Sequence, residues 1–540
     1  MRARSTLTIL WLTLAMAASG ATVGFLVARP PRAGSRLEAR IVEDADGKPL
    51  AARVSVTGAD GQSLEIEGPH PHVQSLGRRW CYTDGAFSVG IPGSGARVAI
   101  RRGFETRPVS EEVAGAAPFG TIARTFRLRR WIDMRARGYV SGDVHAHLPA
   151  PGEAHLQMRG EDLGVANLLT LEGFDVPINR HFTGGLDPAS TPDCELYVGQ
   201  EVQDWQMGHL TLLGLKTMVP GYPNPGGALE YTDSHPHWDM VRALRAARGQ
   251  GGFVSWAHFE NLPGFQSPVA IALGLVDAVE LPTWGDPTQL PSHGGPWEGS
   301  GMSPAEFTIM RGVDLYYQYL NAGFRLPIAA GTDKVDEVMP LGSNRTYVPT
   351  PAKVDYAGWL AGLESGTGFV TNGPILELEA DGRGPGEAVL FQGTKRITAR
   401  VVARSILPFT TLDIVLNGQA VGHRKMPIPA NPPVDGVYTM EVETTIDLAR
   451  SAWLAARVLD DPDLNPRVLP RGASVFAHTN PVYFLQDGSK VREQASIAYL
   501  RKYVMGFQHW LDGNPPFANP EDRRNAQQDA AQALRVLDSL

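Results

Sequence analysis

His145 and His147 stand one residue apart in the segment Ser-Gly-Asp-Val-His-Ala-His at 141–147. A strand places residues i and i+2 on one face. Tyr139, Val140 and Val144 read as strand, so two imidazoles leave one strand end together, at a spacing that can grip one metal ion. Glu172, Glu201, His209, His258 and Asp333 follow, each at or near the end of another apolar run. Zinc, manganese and iron take this mixture of imidazole and carboxylate, so the pattern points to metal-dependent hydrolysis. Two other pairs share the spacing, His70-Pro71-His72 and His235-Pro236-His237. Their prolines remove a backbone donor and argue against a central strand, so both read as loop histidines.

The elements that must position these residues divide by pattern. Residues 36–130 alternate like strands and carry Asp46-Gly47 and Asp60-Gly61 turns, which predicts a β-sandwich. From 138 to 375, short apolar runs such as Leu168–Leu171, Gly252–Trp256 and Asp277–Leu281 alternate with amphipathic stretches. Met240, Val241, Leu244 and Ala247 share one helical face, and Ser303-Pro-Ala-Glu306 is a capping box. Strand–helix alternation predicts a parallel α/β domain closed as a barrel, with chemistry at the C-terminal strand ends. Residues 376–485 return to β character, with an Asn417-Gly418 turn, and 486–540 read as a helical tail.

A chain of 540 residues is too long for one core. The net charge of −8, with no long Lys/Arg cluster after the N-terminus, argues against nucleic acid as partner. A small molecule is the expected substrate. Arg2 and Arg4 precede an apolar stretch from Leu7 to Val27, and Arg29 and Arg32 follow. Residues 1–35 are therefore either a cleaved signal peptide or an uncleaved membrane anchor. Either reading places the bulk outside the cytoplasm, periplasmic or secreted. Export permits a disulfide, but Cys81 and Cys194 fall in different expected domains, which does not favour a bridge.

Gly142-Asp-Val-His-Ala-His resembles the opening motif of the PHP (polymerase and histidinol phosphatase) metallohydrolases. Within that superfamily the chain is most similar to the CehA/McbA family. Gly208-His-Leu-Thr-Leu-Leu-Gly, Ala330-Gly-Thr-Asp-Lys, Arg345-Thr-Tyr-Val, Phe369-Val-Thr-Asn-Gly-Pro and Ala477-His-Thr-Asn-Pro-Val-Tyr carry that likeness across roughly 138–485. Residues 36–130 resemble a carboxypeptidase-regulatory-like sandwich, a structural module. The resemblance implies a distorted seven-stranded β/α barrel of PHP type around a metal cluster. It makes His145 and His147 the first ligand pair, Glu201 the bridging carboxylate, and His209, His258 and Asp333 later ligands. Glu172 stands where the superfamily places a histidine, and Val335 where it places another. These departures imply one or two divalent ions rather than three.

In the expected mechanism, metal-activated water attacks an ester, carbamate or phosphoester. Asp333 takes the proton, Glu201 holds the metal spacing, and Lys334 and Arg345 are candidates to stabilise an oxyanion. Asp143 is a candidate supporting residue behind His145, and His155 and His181 are further candidates in nearby loops. The alternative is a non-catalytic exported surface protein whose degraded barrel carries modules that bind glycans or protein partners.

Overall fold

The computed structural model describes residues 34–540 except 118, 173–176, 224–235, 260–262, 284–311, 351–352, 430, 461–468 and 470–472. The expected export segment, His235, and the capping box at 303–306 lie outside the described residues.

Strand Ser35–Glu43 alternates buried and exposed positions along most of its length. It pairs antiparallel with Ala86–Ile91 and parallel with Thr121–Leu128. A five-stranded antiparallel sheet, from His72–Ser75 to Val109–Val113, faces it. Leu37, Ile41, Val54, Val89, Val98 and Phe126 fill the space between them. Gly47 and Gly61 both have positive φ, as the two Asp-Gly turns require. No described strand before residue 130 joins the sheet that carries the site, so this module has its own core.

The rest of the molecule is built on one fifteen-stranded sheet. Strands Tyr139–Ala146, Val165–Leu171 and Glu195–Asp204 run parallel. Glu195–Asp204 then turns through Trp205-Gln-Met207 into Gly208–Leu213, which runs back antiparallel. Strands Phe253–Ala257, Ala278–Glu280 and Ile328–Ala329 resume the original direction. Segment 330–334 meets Tyr139–Ala146 through bonds from Val144 N to Ala330 O (3.3 Å) and from Asp333 N to His145 O (2.7 Å).

This corrects the expected β/α barrel. Among the described residues the molecule is mostly β, with several sheets and no closed barrel. The described residues hold 26 strands but only seven α-helices. The cause is local. A three-residue link cannot carry the crossover that a parallel partner needs, so Gly208–Leu213 must reverse. Periodicity marks a strand without revealing its direction.

The boundary expected at 375/376 is not a break in the sheet. Arg345–Pro349 pairs with Tyr139–Ala146, and Phe369–Thr371 carries the sheet on into Phe476–Thr479 and Ala452–Leu459. A second antiparallel sheet, Ile375–Ala380, Lys395–Ser405 and Tyr438–Leu448, packs on this extension through Val401, Leu412 and Leu454. The Asn417-Gly418 turn has both residues at positive φ.

The tail is helical as expected. Helices Gln494–Asp512 and Pro520–Asp538 bury Leu500, Phe507, Ala530 and Leu537 in the core behind the site strands. Arg245 forks onto Asp529 at 2.6 and 2.9 Å and helps fix the second helix to helix Met240–Gly249.

Candidate metal centre

Alternation on the strands decides what reaches the site. On Glu195–Asp204 and Gly208–Leu213, Gln203 lies opposite His209 and Glu201 opposite Thr211, so Glu201 and His209 are diagonal neighbours on one face. The other face carries Val202, Leu210 and Leu212 into the core with Trp256. His145 ends its strand on the same side, and His147 lies one residue past it. His258 directly follows Phe253–Ala257, and Asp333 follows Ile328–Ala329.

Both of these last residues hold left-handed backbone, with φ of 51° at His258 and 45° at Asp333. Non-glycine residues rarely adopt it, and such strain concentrates at functional sites. Gly331 permits the approach of this loop, because a Cβ there would lie 2.3 Å from His145 Cβ.

The groups converge in burial. His145, His147 and Asp333 offer ligand atoms within 4.8 Å of one another, as do His145, Glu201 and His258. Glu201 Oε2 lies 3.0 Å from His147 Nε2 and 3.4 Å from His145 Nε2. Its Oε1 lies 3.2 Å from His209 Nδ1 and 3.6 Å from His258 Nε2. One carboxylate thus faces two histidine pairs. Asp333 Oδ1 is 3.5 Å from both His145 and His147, and its Oδ2 is 3.8 Å from His258.

The tautomers follow from the outer partners. His147 Nδ1 lies 3.0 Å from Leu169 O, and a carbonyl can only accept. His145 Nδ1 lies 3.0 Å from Glu280 Oε2. Both Nδ1 atoms therefore carry the hydrogen, and in the neutral rings both Nε2 atoms present lone pairs. Those two Nε2 atoms face each other at 3.2 Å. Bare lone pairs at that distance repel unless a cation or proton lies with them. His209 Nε2 is also buried without a partner.

The electrostatics agree. Burial opposes a charged His145, yet Glu280, Glu201 and Asp333 outweigh it and hold this group well above the usual histidine range. Burial likewise opposes charge on His258, but Glu201 and Asp333 raise it to about 9. Burial works against the Glu201 carboxylate, and the surrounding histidines still hold it well below the usual range. The centre attracts positive charge, and its donors suit a divalent ion. These buried His/Asp/Glu groups could hold a metal ion.

Other expected residues lie elsewhere. Glu172 is half-buried and accepts from Tyr222 N at 2.8 Å; it belongs to neither ligand group. Lys334 and Arg345, expected as oxyanion partners, are held by other contacts. Lys334 Nζ donates to Asp336 O at 2.5 Å and lies 3.4 Å from Glu337. Arg345 donates to Gly342 O and Glu161 O and stacks its guanidinium over Phe104 at 4.2 Å. His155 sits on helix Pro151–Gly160 rather than in a loop, 3.2 Å from Thr191 Oγ1. His181 ends a short 3₁₀ turn. His70 contacts the carbonyls of Glu67 and Tyr82, and His237 pairs with buried Asp204. Cys81 and Cys194 are both free and buried.

Two supports were under-read in the sequence. Glu280 was not singled out; it is fully buried, holds His145 and accepts from Thr211 and Thr283. Its signal is a carboxylate inside the apolar run Ala278–Leu281. Asp143 was expected behind His145, but it acts on backbone. It accepts from His145 N, Thr332 N and Gly342 N, and from Thr332 Oγ1. It thereby ties the His145 strand to the Asp333 loop. Burial pushes its carboxyl up to about 6 despite these bonds.

The fold brings together, at the ends of several strands of an open sheet, a buried cluster of His, Asp and Glu side chains that could hold a metal ion. Comparisons with protein-family models, with curated proteins and with solved structures return no match.

Proposed function

We propose that this protein is a metal-dependent hydrolase acting on an ester, carbamate or phosphoester bond of a small molecule. The observation that carries the reading is the pair of Nε2 atoms of His145 and His147, 3.2 Å apart and ringed by carboxylates. The motif likeness to the CehA/McbA hydrolases supports it, and the export-like N-terminus supports an extracytoplasmic location.

His145, His147, His258, Glu201 and Asp333 would hold zinc, manganese or iron, with His209 beside them. Glu201 faces both histidine pairs, which supports two ions as readily as one. A divalent ion there lowers the pKa of water from about 16 towards 7 and polarises the scissile carbonyl or phosphoryl group. Glu280 fixes the ring orientation and tautomer of His145. Asp333 has the more exposed carboxylate of the two that face the histidines, at 11% against 0% for Glu201. It is therefore the group placed to take a proton from incoming water.

The test is hydrolysis of nitrophenyl esters, carbamates and phosphoesters by purified protein, with chelator and after metal is restored. The expected result is turnover of at least one class that chelation abolishes, metal restores and His147→Ala lacks. A metal-loaded protein inactive on every class would overturn the hydrolase reading and leave a structural metal site.

A further inference from the structure

A second cleft lies between the N-terminal sandwich, the 340–343 segment and the C-terminal β region, away from the ligand groups described above. Its cavity is about 330 Å³. That is at the small end of ligand pockets, enough for a molecule of one or two rings. Its walls come from separate parts of the chain. Leu76 and Phe104 face it from the sandwich side, and Ile406 and Leu407 from the C-terminal side. Leu76 is 52% exposed, unusual for a large apolar residue in this molecule.

The polar side of the cleft is one-signed. Arg53, Arg78 and Arg101 all line it. Arg53 and Arg101 lie 5.5 and 5.4 Å from the ring centre of buried Trp80, favourable cation–π distances. Arg53 has a counter-charge in Glu161, at 3.2 Å. Among the described residues no carboxylate lies within ion-pair distance of Arg78 or Arg101. Neither guanidinium is ion-paired; the nearby Glu161, which favours the charged form of Arg101, is held by Arg53. A planar guanidinium fork matches a carboxylate, and the pairing strengthens where water is excluded.

We infer that this cleft binds a small organic anion, a carboxylate carried on an apolar aromatic body. The carboxylate meets Arg78 and Arg101, and the body lies between the apolar walls of the two β regions. The state of Arg101 agrees: burial and the like charge of Arg53 lower its guanidinium to about 10, a burden that a bound carboxylate relieves. The N-terminal module then contributes recognition as well as structure. The inference does not depend on the hydrolase reading.

The test is calorimetric titration of the full chain with 2-naphthoate, its neutral amide 2-naphthamide, and acetate. Metal is first removed with chelator, so that carboxylate ligation at the histidine centre cannot contribute. Naphthoate should bind, and naphthamide and acetate should each bind at least about tenfold more weakly. Arg101→Gln should weaken naphthoate binding at least about tenfold and leave naphthamide unchanged. Arg78 is exposed, so Arg78→Gln can be made without disturbing the core and should act in the same direction. Absent naphthoate binding, equal affinity for naphthoate and naphthamide, or naphthoate binding unchanged in both variants would overturn the inference.

Discussion

Two clusters of buried ionisable groups differ in one respect. At the junction of the sandwich with the central sheet, Arg130 forks onto Asp162 at 2.5 and 3.0 Å, and Arg102 reaches Asp162 at 2.6 Å. Glu105 accepts from Met134 N and Tyr347 Oη and lies 3.4 Å from Arg130. Two guanidinium groups meet two carboxylates, and the charges close. Burial works against Asp162 there, but Arg102 and Arg130 overcome it and hold its carboxyl well below the usual range. At the histidine centre, Glu201, Asp333 and Glu280 surround imidazoles, and no Lys or Arg is paired to them among the described residues. Burial of charge is therefore no signal of function by itself. The signal is carboxylates that meet only histidines, groups able to exchange a proton for a metal ion, with two ring nitrogens facing each other across a gap.

The sharpest way to break the comparison is to open the closed cluster. Asp162→Asn leaves Arg102 and Arg130 buried without their shared partner. It should destabilise the fold by about 3–5 kcal/mol in urea titrations while leaving metal content unchanged. If metal content fell too, the clusters would not be independent.

Next, the open cluster should respond to its cation. Chelation of the metal-loaded protein should lower stability by about 3 kcal/mol where free metal had stood near 100 times its dissociation constant. The fall in melting temperature on chelation checks it. An unmoved transition would mean that no ion sits in the folded centre.

A smaller effect separates ligands from supports. Glu280→Gln keeps the volume but weakens the hold on His145 Nδ1. Metal affinity should drop roughly 10- to 100-fold, read by competition with a chromogenic chelator. Unchanged affinity would make Glu280 a packing residue.

An effect of similar size lies in pH. Burial, with the field of Asp162, pushes the Glu105 carboxyl up to about 7. The folded state then keeps a proton that the unfolded chain releases above about 4.5. The stabilisation is full below that pH and is lost as pH rises through about 7. Glu105→Gln should flatten this slope, a change of roughly 2 kcal/mol between pH 5 and 8. An identical slope in wild type and variant would assign the pH dependence elsewhere.

Much of the centre was legible before any coordinates. The i, i+2 spacing of His145 and His147 has one consequence on a strand. His258 and Asp333 could be found because one directly follows a short apolar run and the other stands three residues past one. Lys334 and Arg345 show where such reading stops. Their positions in the chain were right for an oxyanion partner, but packing turned Lys334 onto Asp336 and Arg345 onto Glu161. Glu172 likewise stood at a strand end and found Tyr222 N instead of the histidines.

By itself the sequence determined the strands, the separate N-terminal sandwich, the helical tail and the chemical types at the centre. Periodicity and turn residues act over a few neighbours, so they are readable locally. Only the tertiary structure decided strand direction, the open sheet in place of a barrel, the seam carried past residue 375, and the place of Glu280 behind His145. Each depends on residues far apart in the chain meeting across hydrogen bonds. A one-dimensional pattern does not encode which strands will be neighbours.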